Sequence, residues 1–123
     1  MLKQLNNEEI YFAHKQLNDA FEGSNQYLPA KINFYIQKNK KKIADLAQEI
    51  ETTRVQIIQS FGVPEEEGKY FIPEDKIQIA QQEIASLFTI VQEIEINTIA
   101  LEDIENLHFT LPQMEALMFM IEE

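Results

Sequence analysis

Ile36, Ile43, Ile50 and Ile57 fall seven residues apart in a stretch, 30–61, that contains neither glycine nor proline. Ile32, Asn39, Leu46 and Thr53 fill the alternate three- and four-residue steps, so one mostly apolar seam runs along a single helix. Heptad spacing sustained over this length is the pattern by which helices pack side by side, knobs into holes. At 1.5 Å per residue such a helix is about 45–50 Å long. In a chain of 123 residues that seam has to be covered, either by a second copy or by other helices of the same chain. Asn39 and Thr53 are polar at d-type positions, which costs stability and restricts register or partner number.

The segments around this helix carry their own punctuation. Asn6 followed by Glu9 has the spacing of a capping box, and Ile10, Ala13 and Leu17 then recur at helical steps before Gly23 ends the element. The short start around Leu2 and Leu5 reads as a strand or a frayed lead-in, and 24–27 as a polar connector. Pro29 suits the first turn of the long helix, and Gly62 with Pro64 stops it. Tyr70, Phe71 and Ile72 form a short β candidate, and Pro73 opens a helix running to about Thr89 with Ile77, Ala80, Ile84 and Leu87 on one face. Val91, Ile94 and Ile96 then alternate with Glu93 and Glu95, the period of a half-buried strand that Ile99 and Leu101 continue. Thr110 and Gln113 repeat the capping-box spacing before a closing helix faced by Met114, Leu117, Met118 and Ile121. The expected fold is mainly α with minor β: a long central helix packed with shorter helices plus a small β element, in one domain, 1–123.

Composition removes several kinds of chemistry. Cysteine is absent, so there are no disulfides, thiolate metal sites or cysteine nucleophiles. The three glycines, Gly23, Gly62 and Gly68, build no phosphate-cradling loop, and the serines stand in no nucleophile-elbow setting. His14 and His108 sit in no metal-binding spacing, and Glu102, Asp103 and Glu105 lack the central glycine of a calcium loop and read as an exposed turn. No catalytic residue, metal or cofactor is therefore expected, and the chain reads as a non-enzyme. No run approaches the ~18 apolar residues that cross a bilayer.

Charge is split along the chain. The net charge of −11 divides into +1 over residues 1–61 and −12 over residues 62–123. Such a field disfavours nucleic acid and steers the acidic half toward a basic partner or toward the basic start of the long helix in another copy. Lys31, Lys38 and Lys42 lie on one side of that helix, and with Arg54 they form the candidate anion-binding set.

The order of these signals resembles a group of small uncharacterised proteins encoded by tailed bacteriophages and prophages. The residues that carry the resemblance are Leu28-Pro29-x-Lys31, Ile36-x-Lys38-Asn39, Glu51 and Arg54 in the long helix, and the turn at Gly62. Gly68-Lys69-Tyr70, Glu93-Ile94-Glu95-Ile96 and Thr110-Leu111-Pro112-Gln113 continue it, so that it spans roughly residues 28–121. It implies a virion-associated or accessory role, in the virion or the host cytoplasm, and brings no catalytic residues. The resulting expectation is a helical homo-oligomer or adaptor whose partner is itself or another phage or host protein. The alternative is an anti-defence protein that binds a host protein or sequesters an anionic signalling nucleotide.

Overall fold

A computed structural model describes residues 1–23 and 26–122 and is mainly α with minor β. Part of the connector expected at 24–27 lies outside the described residues. The elements run β1 (Leu2–Asn6), α1 (Asn7–Phe21), α2 (Ala30–Phe61), β2 (Val63–Pro64) and β3 (Tyr70–Phe71). They continue with α3 (Glu74–Thr89), β4 (Val91–Glu95), β5 (Ile99–Ala100), α4 (Leu101–Ile104), α5 (Leu111–Leu117) and β6 (Ile121–Glu122). The strands form three two-stranded pairs, β1 with β4 and β2 with β3 antiparallel, and β5 with β6 parallel.

Both capping boxes close. The Asn6 carboxamide oxygen accepts from the Glu9 N–H at 2.8 Å, and the Glu9 carboxylate accepts from the Asn6 N–H at 3.0 Å. Thr110 and Gln113 make the same reciprocal pair at 3.2 and 3.0 Å. A cap of this kind stabilises by about 1 kcal/mol, because it satisfies helix-end donors that have no partner within the helix. Pro29 takes the N-cap position of α2, one residue earlier than its expected first-turn place. At the other end the Gly62 N–H donates to the Ile58 carbonyl at 2.8 Å. A Cβ at Gly62 would lie 2.7 Å from that oxygen and 3.0 Å from Tyr70 Cβ, so the exit toward β2 requires glycine.

Two boundaries differ from the sequence reading. Leu101 does not prolong a strand; it begins α4. The β5–β6 pairing lasts two residues, Ile99 with Ile121 and Ala100 with Glu122, and Glu102 and Asp103 then occupy a first helical turn, where acids suit the dipole. The closing helix ends at Leu117, so Met118 and Ile121 do not share its face. Residues Met118–Met120 tighten into a 3-10 turn that leaves Met118 outside and buries Met120.

The core lies where α1 packs between α2 and α5 and the β1–β4 pair closes one side. Ile10, Leu17, Ile36, Ile43, Ile96 and Leu117 are among its fully buried side chains, each contributing roughly 1.5–3 kcal/mol through removal from water. Among the described residues three polar ones are buried with them, and each is hydrogen-bonded. The Asn7 carboxamide donates to the Leu87 carbonyl at 2.8 Å and accepts from Gln92 at 2.7 Å, fastening α1 to the turn between α3 and β4. Gln113 donates to the Ala20 carbonyl at 3.3 Å. Asn39, 0% exposed, donates to the Asn97 carbonyl at 2.8 Å and accepts from the Asn97 N–H at 2.9 Å.

The two polar seam positions are therefore unequal. Asn39→Ala leaves two backbone groups of Asn97 without a partner and is expected to cost about 2 kcal/mol or more. Thr53→Ala, at an exposed position whose hydroxyl donates back to the Glu49 carbonyl, is expected to change stability by less than about 0.5 kcal/mol. Urea unfolding of the two variants checks the contrast, and equal losses would contradict it.

Candidate interaction surfaces

Along α2 the buried residues are Ile32, Ile36, Asn39, Ile43, Ala47 and Ile50. Their steps of four, three, four, four and three average the 3.6-residue turn of a straight helix. Ala47 takes the place expected for Leu46, which is half-buried; Ile57 is half-buried and Thr53 exposed. A strict heptad drifts by about 20° per repeat on an uncoiled helix, which turns the later members off the buried face. From Ile32 to Ile50 the seam is covered by the same chain, so this part of it presents no face to a second copy.

The four candidate anion-binding residues do not converge. Lys31 Nζ stands 5.8 Å from the centre of the Tyr35 ring and Lys38 Nζ 5.7 Å from that of Phe34. Lys42 Nζ donates to the Glu95 carbonyl at 2.6 Å, and Lys41 pairs with Asp45 at 3.1 Å. Arg54, about 18 Å further along the helix than Lys42 at 1.5 Å per residue, holds both carboxylate oxygens of Glu51 at 2.6 and 3.0 Å. A hollow of about 270 Å³ gathers Lys38, Lys41 and Lys42 with Asp45, and neither Lys31 nor Arg54 lines it.

Sequence reasoning did not single out the Tyr11–Glu51–Arg54 cluster that bridges α1 and α2. The Tyr11 hydroxyl donates to Glu51 at 3.0 Å, and its ring meets Phe88 edge to face at 5.6 Å. The Arg54 hydrogen bonds hold the Glu51 carboxyl below the ordinary glutamate range, against an opposing push from burial and with help from Tyr11. The bond to Glu51 in turn raises the Tyr11 phenol. Among the described residues no group of three or more acidic or histidine side chains is placed to hold a metal ion, and no helix is long and apolar enough to cross a membrane.

Large apolar side chains are exposed at many positions, Tyr27, Phe34, Val91 and Leu111 among them, and two places gather several each. Beyond Ile50 no described residue of α2 is buried, and α3 buries only Ala80 and Leu87. The end of α2, the β2–β3 hairpin and the first half of α3 thus form an arm of one helical layer. It leaves Val63, Phe71, Ile77 and Ile79 in solvent. The second place is a groove of about 210 Å³ between α1 and the 3-10 turn after α5, walled by Phe12, Met118 and Phe119. Phe12 is 58% and Met118 61% exposed. Phe12 stands off the Ile10–Ala13–Leu17 stripe, which is the signal that could have marked it; Met118 read as a core residue because the closing helix was expected to run on.

No protein-family model matches the chain, and no curated protein or solved structure is significantly similar to it.

A group whose folded pKa is depressed stabilises the fold above its unfolded value, here ~4.3, and loses that contribution as pH falls through the folded value. Tyr11→Phe removes one of the bonds that favour the Glu51 carboxylate. The Glu51 titration midpoint is expected to move upward while stability at neutral pH changes by less than about 1 kcal/mol, because the cluster is partly exposed. Carboxyl-carbon NMR titration reads the midpoint, and an unmoved Glu51 would refute the coupling.

Proposed function

We propose that this chain is a phage-encoded protein–protein interaction protein without enzymatic activity, a virion-associated or accessory adaptor that acts as a helical oligomer. The phage assignment rests on the sequence resemblance. The observation that carries the interaction role is the single-layer arm. A helix pair has two apolar stripes and normally buries them in a second layer. In the arm, Ile77 and Ile79 of α3 and Phe71 of the hairpin remain in solvent. Ile77 and Ile79 lie about 200° apart around α3, Ile77 toward the face of Ala80 and Leu87, so the free flank is the one that carries Ile79. A second copy laying its own arm along that flank completes a four-helix layer, and the same flank meets itself, as in a two-fold dimer.

The alternative, capture of an anionic signalling nucleotide, has the Lys38–Lys41–Lys42 hollow in its favour. Asp45 in the same lining and the prior engagement of Lys41 and Lys42 weigh against it. A melting temperature raised by a panel of cyclic nucleotides would favour that reading, since a ligand at 100 times its Kd adds ~2.7 kcal/mol.

Light scattering at tens of micromolar is expected to give a mass above that of the monomer. The arm contact is expected to persist near 1 M sodium chloride, where charges are screened within ~3 Å but apolar burial is not weakened. The substitution Ile79→Glu, at an exposed position on the free flank, is expected to abolish the arm contact with little effect on folding. A monomer at every concentration would overturn the reading.

A further inference from the structure

The groove beside α5 is apolar with carboxylates in its lining, and the outer face of α2 is aromatic with lysines beside it. Leu5 and Ala13 floor the groove, Phe12, Met118 and Phe119 wall it, and Glu9 and Glu115 stand in its lining. Glu9 spends one oxygen on the Asn6 cap and keeps the other, while the nearby Lys3 ammonium is already committed to the Phe119 carbonyl at 2.8 Å. At about 210 Å³ the groove falls below the ~300–1,000 Å³ of small-molecule sites and suits the insertion of one side chain.

Such a side chain exists on the same molecule. Phe34 points away from the core, on the side of α2 opposite Ile36, and is 59% exposed. Lys31 and Lys38 flank it one turn to either side, with the Lys38 ammonium 5.7 Å from the ring centre. An aromatic anchor between two cations matches an apolar slot that carries two carboxylates.

We propose that the Phe34 knob of one copy seats in the Phe12–Met118 groove of another, with Lys31 and Lys38 set against Glu9 and Glu115. Knob and groove are different surfaces, so the contact is heterologous. A pair joined in this way still presents one free knob, on one copy, and one free groove, on the other, and growth continues until a ring closes or a filament extends. This rests on the reading of the chain as self-associating, but it uses a surface separate from the arm. The flanking charges steer and orient the contact, and unlike the arm contact it weakens with salt.

Sedimentation velocity in the Ile79→Glu background isolates this contact from the arm. At low salt that protein is expected to form species larger than the monomer that grow with concentration. Adding Phe34→Glu or Met118→Glu, both at exposed positions, is expected to weaken growth at least tenfold, about 1.4 kcal/mol. Mixing the Phe34→Glu protein with the Met118→Glu protein restores one intact knob–groove pair. The mixture is therefore expected to form a one-to-one pair that grows no further. Growth unaffected by either substitution, or a mixture that remains monomeric, overturns the pairing. If the protein with its arm intact dimerises while the arm variant stays monomeric, the knob and groove do not join copies, yet the self-association reading stands. A groove that serves a different basic protein would give that same result. If the protein with its arm intact is itself monomeric, both readings fail.

Discussion

The carboxamide of Asn39 sits in the middle of the buried face of α2 and meets the backbone of Asn97 through both its donor and its acceptor. This is the arrangement by which one strand residue engages its neighbour, produced here by a side chain. It halts the chain between β4 and β5 at a fixed height on α2, and Ile96 and Ile99 on either side enter the core in register. A shift of α2 by one turn would bury the amide against hydrocarbon with its partners lost, a cost of several kcal/mol. The apolar contacts around it tolerate small displacements, but the two hydrogen bonds do not. Asn39 thus selects one packing from several of similar apolar burial.

Much of this architecture is legible in the sequence where a local rule and the tertiary environment agree. The capping residues Asn6 and Thr110 each act within their own helix, and the alternation from Val91 to Ile96 reports a strand with one buried face. The polar seam positions were legible as a pair but not in their difference. Asn39 and Thr53 occupy equivalent heptad sites, and only the arrival of residues 96–98 against one of them makes it matter. Leu46 and Ala47 exchange roles for a related reason: the true period is 3.6, and a run of isoleucines seven apart disguises it. The groove was hidden because it depends on where α5 stops. Nothing between Leu117 and Met120 breaks a helix by propensity, and the tightening there answers to the pairing of Ile121 with Ile99.

The lysine cluster and the glutamate run lie toward different ends of α2. The lysines of α2 lie alongside the packed core, where several are occupied by aromatic rings or by a strand carbonyl. The acids of residues 65–67 collect at the far end of the arm, next to its exposed apolar side chains. Like charges at that end disfavour contact between two arm tips. The Tyr11–Glu51–Arg54 cluster lies at the boundary, where the covered part of α2 gives way to the uncovered part.

α2 crosses that boundary without glycine, proline or any break in its 32 residues, so core and arm share one rod about 48 Å long at 1.5 Å per residue. A rod of this kind is a ruler. In the proposed arm contact, the spacing between cores would be set by the number of residues in one helix. Seven residues removed from its uncovered end would shorten that spacing by about 10 Å and keep nearly the same rotational phase, whereas two removed would turn the arm by roughly 160°. Under that contact, length in such a segment would be constrained in whole turns, even where the identity of its side chains is free to change.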